Sequence, residues 1–192
     1  MAINSETLAS RFTAPSFSLP DVVSGENRSL EELLTASSSD SQDSVGIAII
    51  FLCCHCPYVK HLQQPLIALA KEFMSKGVAF VGISANDAVG YPEDSPESLK
   101  EMVGELGIPF PILFDGTQQV AQDYAAACTP EFFLFNGAKE LYYHGRFDAS
   151  TPGNGIAPTG EDFRAALEAL CRGEKLPTPH PPAVGCSIKW KA

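Results

Sequence analysis

No stretch of this sequence is apolar enough to span a bilayer. The longest run, Val45 to Cys54 (VGIAIIFLCC), is about half of the ~20 residues that a membrane-crossing helix needs. Positive charge is also scarce. With 13 Lys+Arg against 23 Asp+Glu the net charge is −10, a balance that repels phosphate backbones and anionic headgroups and argues against nucleic-acid or membrane-surface binding. The opening MAINSETLASRF lacks the basic segment and apolar stretch of a secretory signal, so a cytoplasmic location is expected. Internal repeats are missing too.

What is present is an ordinary globular composition, 45% hydrophobic and 19% charged, far from that of a disordered chain. Its 192 residues suit one domain, expected over residues 1–175, with a Pro-rich tail over 176–192 that packs on it. A chain of this size buries a core without covalent staples. Its six cysteines (Cys53, Cys54, Cys56, Cys128, Cys171 and Cys186) are therefore free for other work. In a reducing compartment an even count implies no disulfide framework. Three of them fall within four residues, a clustering that points to redox chemistry or metal binding.

The pattern alternates strands and helices. Residues 14–20 have room for a short strand, and Ser29 and Glu32 form a capping box opening a short helix through Leu34. Residues 37–44 read as a polar loop. Val45 to Leu52 reads as a strand buried on both faces. From Val59 to Phe73 apolar residues recur at helical spacing, with Pro65 expected to kink the helix and Gly77 to stop it. Val78 to Ile83 is the next strand, and a helix opens at Ser95-Pro96 and closes at Gly107. A strand at 110–114, a helix at 118–127, a hairpin of 131–135 with 141–144 turning at Asn136-Gly137, and a helix at 161–171 complete the series. Early strands joined by helices pair in parallel and the late hairpin adds antiparallel strands, so an α/β fold with a mixed sheet is expected.

The chemistry concentrates in Phe51-Leu52-Cys53-Cys54-His55-Cys56-Pro57-Tyr58-Val59-Lys60. Cys53 and Cys56 form a C-x-x-C where a buried strand meets a helix, a spacing at which two sulfurs close a small ring with little strain. In such a pair the first sulfur usually stays accessible. Unpaired N–H groups at the helix start favour a thiolate. At ~2 kcal/mol, that preference raises the thiolate fraction at neutral pH from roughly 3% to about half.

C-x-x-C after an apolar strand, with Thr129-Pro130 before a later strand, resembles the thioredoxin superfamily. APSFSLPDV near the start and YPEDSP at residues 91–96 resemble its peroxiredoxin-like branch. The paired segments at Cys53–Val59 and Gly185–Trp190 (GCSIKW) are similar to a group of small redoxins. The resemblance implies a thioredoxin-like fold, a central mixed sheet flanked by helices with an N-terminal extension and a C-terminal tail. It also implies a cis bond before Pro130, with Thr129 and Pro130 facing the dithiol. The thioredoxin frame makes Cys53 the attacking thiol; the peroxiredoxin frame has threonine where Cys53 stands and makes it Cys56. Arg146 is a candidate for the arginine of a peroxide site or a solvated strand-end charge. A histidine placed like His55 implies a couple less reducing than ~−270 mV, nearer −200 mV.

Cys54 reads as a spare thiol, Cys128 as lying near the dithiol face or beneath it, and Cys171, beside Leu167 and Leu170, as core. Cys186 is either a resolving thiol or a packing residue. The implied function is thiol–disulfide oxidoreduction, with peroxide reduction as the alternative; either needs a disulfide or peroxide substrate and a reductant such as thioredoxin or glutathione, but no cofactor. A metal centre built from Cys54, His55, Cys56 and His61 or Cys186 lacks a second ligand pair, and none is expected. A redox-fold interaction module with incidental thiols is the non-enzymatic rival.

Overall fold

In order, the chain forms β1 (Ala2–Asn4), β2 (Ser18–Pro20), β3 (Asn27–Ser29), α1 (Leu30–Ala36), β4 (Gly46–Phe51), α2 (Pro57–Met74), β5 (Val78–Ser84) and α3 (Pro96–Leu106). There follow β6 (Ile112–Phe114), α4 (Gln119–Asp123), β7 (Cys128–Thr129), β8 (Glu131–Asn136), β9 (Leu141–Gly145), α5 (Glu161–Cys171) and β10 (Val184–Ser187). The structure is a computed structural model that describes residues 2–6, 8, 12–36, 44–176 and 178–191. Residues 37–43 of the expected polar loop lie outside them.

The main sheet has the order β6-β5-β4-β8-β9. β4 runs parallel to β5 and β5 to β6, whereas β8 is antiparallel to both β4 and β9, the mixture expected from the connections. β4 is central and every one of its residues is buried, which explains its unbroken apolar run. One face of the sheet packs Ile50, Phe132 and Leu134 against Leu66 and Phe73 of α2 and Phe163 and Leu167 of α5. The other packs Ile49, Phe51 and Phe133 against Leu30 and Leu34 of α1 and Tyr124 beyond α4.

Local signals operate as read. Ser29 N–H donates to Glu32 Oε2 at 2.8 Å and Glu32 N–H to Ser29 Oγ at 3.2 Å, closing the capping box. Ser95 caps α3 through Ser98 N–H, with Pro96 at its first position and Gly107 left-handed at its end. α2 continues through Pro65 as one element. In the hairpin the left-handed residue is Lys139, not Gly137, because Asn136 Oδ1 accepts from both Ala138 and Glu140 N–H and closes a longer loop.

A second sheet, β1-β10-β7, has no counterpart in the sequence pattern. Both its outer partners are short, and β10 (VGCS) shows no alternation that would announce a strand. It lays the C-terminal tail antiparallel beside β7, pairing Cys186 with Thr129 and Ser187 with Cys128. The peptide bond before Pro130 is cis, as the resemblance implies, and so is that before Pro179. Among the described residues, no helix is long and apolar enough to cross a membrane.

Candidate active site

The buried strand β4 ends at Phe51, and α2 begins at Pro57 with Cys56 as its N-cap residue. The intervening loop places the Cys53 and Cys56 sulfurs together against Thr129. Cys53 Sγ lies 3.3 Å from Thr129 Oγ1, and Cys56 Sγ lies 3.2 Å from the Thr129 carbonyl oxygen. Both cysteines are fully buried. This departs from the usual accessible first sulfur, because the cis-proline loop and the loop at Asp94 close over Cys53 from two sides.

The two thiols are electrostatically unequal. The Cys56 thiol is pushed well below its ordinary range, first by the hydrogen bond from the Cys53 thiol, then by those from Cys186, the Val59 N–H at the first turn of α2 and Thr129; burial opposes them. The Thr129 carbonyl also opposes the thiolate, since it accepts only from the protonated sulfur. The donors outweigh it because several converge on one atom. Cys53 is pushed up, because it donates to Cys56, lies out of water and sits near the Asp94 carboxylate. The surroundings therefore favour charge on Cys56 over Cys53.

Asp94 is the principal residue that sequence reasoning missed. Fully buried, it accepts from Cys54 N–H (2.8 Å) and His55 N–H (3.1 Å) at Oδ1, and meets His55 Nδ1 (2.5 Å) and Asn86 Nδ2 (2.7 Å) at Oδ2. It thus fixes the backbone of the loop between the two thiols and holds the His55 ring, which also stacks on Tyr91 at 5.7 Å. The carboxylate contributes, after burial, to pushing the Cys54 thiol up to about 12. The motif YPEDSP was legible; that its aspartate reaches back to the cysteine loop was not.

Glu131, immediately after Pro130, is the second missed residue. It is fully buried, its Oε2 accepting from Ala127 N–H (2.8 Å) and Cys128 N–H (3.0 Å) and its Oε1 lying 2.6 Å from His144 Nε2. A lone acid opening the otherwise apolar strand EFFLF was the available signal. Cys128 lies beneath the dithiol face, fully buried and pushed up by burial and by Glu131. Replacing Glu131 by leucine leaves two backbone N–H groups and His144 unpaired. A loss of ~3–5 kcal/mol in urea unfolding is expected, and a loss below 1 kcal/mol would contradict this role.

Cys171 is not core but exposed. Ala169 and Leu170 take the inward positions of the last turn of α5, and Cys171, its final residue, is turned past them. Native protein is expected to label rapidly with maleimide at Cys171 while Cys53 stays protected. Peptide mass mapping checks the order. Arg146 pairs its Nε with Asp162 at 2.7 Å and lines a cavity of about 40 Å³ with Pro130, His61 and Ser150. His61 Nε2 is buried there without a hydrogen-bond partner, and the space suits a few ordered waters.

Among the described residues one set of metal-ligating atoms converges, from Cys53, His55 and Asp94, within 4.8 Å of one another. Two tetrahedral ligands of a ~2.0–2.1 Å zinc site stand about 3.3 Å apart. The 2.5 Å between His55 Nδ1 and Asp94 Oδ2 is instead a hydrogen-bond distance.

A family model, AhpC/TSA, matches residues 12–144, most of the chain. The chain belongs to the AhpC/TSA family. Two solved structures match over nearly the whole length: an uncharacterized conserved protein from Geobacillus kaustophilus (47% identity, 100% of this chain and 97% of that one, TM-score 0.92) and a hypothetical protein from Sinorhizobium meliloti (38%, 98% of each, TM-score 0.91). A thiol:disulfide interchange protein of the thioredoxin family from Chlorobium tepidum is similar at 18% identity, over 85% of this chain and 99% of its own, with a TM-score of 0.61; that likeness shows the thioredoxin-like fold alone. No curated protein matches.

Proposed function

We propose that this member of the AhpC/TSA family is a thiol–disulfide oxidoreductase in which Cys56 is the attacking thiolate and Cys53 the thiol that closes the intramolecular disulfide. The observation that carries this reading is that both buried sulfurs meet one residue, Thr129, at 3.3 and 3.2 Å, with Cys56 at the start of α2 and its thiol held below the ordinary range. A thiolate there attacks a substrate disulfide. The leaving sulfur departs as a thiolate, and Cys53, held against the same Thr129, displaces the substrate from Cys56. A protein or small-molecule disulfide is the substrate, and thioredoxin or glutathione returns the pair to the dithiol. Residues 1–175 form the redox domain in this reading and the tail completes its site.

The family match and the Cys56-Pro57 pair favour a second reading, reduction of a peroxide by the same thiolate through a sulfenic acid that Cys53 condenses to a disulfide. Serine variants of Cys53 and Cys56, each also carrying Cys186→Ser so that no third thiol intervenes, challenged separately with a disulfide and with hydrogen peroxide and read by mass, separate the two. A mixed disulfide on Cys56 in Cys53→Ser supports exchange; a sulfenic acid formed there far faster than the mixed disulfide supports peroxide reduction. If Cys56 remains an unmodified thiol under both challenges, neither reading stands.

A further inference from the structure

Sealed beneath the cis-proline loop, Cys53 and Cys56 have no exposed surface, so redox equivalents need a route between them and solvent. The C-terminal strand supplies one. In the β10–β7 pairing Cys186 stands directly opposite Thr129, and cross-strand partners in an antiparallel pair project their side chains to the same face. That face carries the Thr129 hydroxyl, which touches Cys53, and Cys186 packs there against the buried cluster that holds Cys53 and Cys56. Unlike the other two, Cys186 is partly exposed.

The approach is built into the backbone. A Cβ on Gly185 would lie 2.1 Å from the Thr129 carbonyl oxygen, so only glycine lets β10 come this close. On the far side Ile188 N–H donates to the Ala127 carbonyl (3.0 Å) and Lys189 N–H to Asn86 Oδ1 (2.8 Å). On the near side β1 pairs with β10. Held from both edges, the strand keeps Cys186 in place while the chemistry proceeds.

We propose that Cys186 is the outward-facing member of a three-thiol relay, through which electrons pass between solvent and the buried Cys53–Cys56 pair by way of a Cys56–Cys186 disulfide. The relay rests on the reading of Cys53 and Cys56 given above. Starting from the Cys53–Cys56 disulfide, the Cys186 thiolate attacks the Cys56 sulfur. The Cys186–Cys56 bond forms, the Cys56–Cys53 bond breaks, and Cys53 leaves as a thiolate that takes up the proton Cys186 lost. No net electrons move in this step. An external dithiol then attacks the exposed Cys186 sulfur through a mixed disulfide, and its second thiol closes it. The reductant loses two electrons, and Cys56 and Cys186 both become thiols.

While Cys56 is a thiolate, Cys186 is held protonated, its thiol pushed up to about 11 by burial and then by the neighbouring charge. Oxidation of Cys56 removes that charge, so Cys186 becomes a better nucleophile when its attack is needed. Cys54, the other partly exposed thiol of the cluster, is the chain neighbour of Cys53, and a ring between adjacent cysteines is strained.

The test uses the full chain in a Cys54→Ser background. Treated with glutathione disulfide, Cys53→Ser is expected to form an intramolecular Cys56–Cys186 disulfide, identified by peptide mass. A persistent glutathione adduct on Cys56 beside a free Cys186 would overturn the relay. In Cys186→Ser the Cys53–Cys56 disulfide should be reduced by dithiothreitol roughly 10-fold more slowly than with Cys186 present, since access controls exchange. In urea the two rates should converge; equal rates in the native state would refute the relay. Adding Gly185→Ala to Cys53→Ser keeps the thiol but pushes the strand away, and should lower the yield of the Cys56–Cys186 disulfide. If the protein with all three thiols forms no Cys53–Cys56 disulfide at all, the underlying reading of the site falls, and the relay with it.

Discussion

Serine at position 56 is expected to abolish disulfide turnover, a loss on the order of 10³-fold or more, as for other removed nucleophiles. Serine at position 53 should instead permit the first attack and stall the cycle before the Cys53–Cys56 disulfide can close. The asymmetry follows from the site, whose surroundings lower the Cys56 thiol and raise that of Cys53. The same asymmetry makes the stability of the reduced protein depend on pH. Cys56, depressed in the fold, contributes stability that is fully present above its unfolded pKa of ~8.5 and is lost as pH falls through its folded value. Cys53, Cys54, Cys128 and Cys186 are raised in the fold, so their contributions are present below ~8.5 and fade as pH rises above it. Stability of the reduced chain should therefore climb through neutral pH, crest near pH ~8 and decline beyond, each titrating group contributing a slope of about 1.4 kcal/mol per pH unit. Urea unfolding under reductant, compared with Cys56→Ser, checks this. The variant should lose the climb and keep the decline, and parallel curves on the acid side would contradict the assignment of the charge.

Removing the Asp94 carboxylate is expected to be the most disruptive single change away from the sulfurs. Alanine there strands Cys54 N–H, His55 N–H, the His55 ring and the Asn86 amide around an empty buried site. A destabilisation of ~3–5 kcal/mol follows from leaving that many buried groups without their charged partner. Asparagine keeps one oxygen for the two backbone groups but turns an amide N–H₂ toward His55 and Asn86, so a smaller loss is expected. Asparagine also removes the charge that, after burial, holds the Cys54 thiol near 12, so alkylation of Cys54 should shift to lower pH. An Asp94→Asn protein with wild-type stability and unchanged Cys54 alkylation would show that Asp94 does not organise this loop.

Much of the fold was legible because its signals are local. The all-buried β4 needs only its own residues to be recognised, and the Ser29–Glu32 box and the Ser95-Pro96 start of α3 are complete within one helical turn. The C-x-x-C was legible for the same reason, since two thiols three residues apart at a helix start meet without help from elsewhere. Cys171 misled because helical spacing alone put it beside Leu167, and spacing does not say where the last turn ceases to be covered.

By itself the sequence determined the alternation of strands and helices, the place of the dithiol between β4 and α2, and the threonine–proline pair that would face it. Only the tertiary structure decided that the two buried sulfurs sit in unequal surroundings, that Asp94 braces the loop, that Glu131 holds the cis-proline strand and that the tail lays Cys186 opposite Thr129. Each of these depends on contacts between segments far apart in the chain, where burial strips away water and lets a few converging hydrogen bonds set the balance of charge; no spacing along the sequence encodes that convergence.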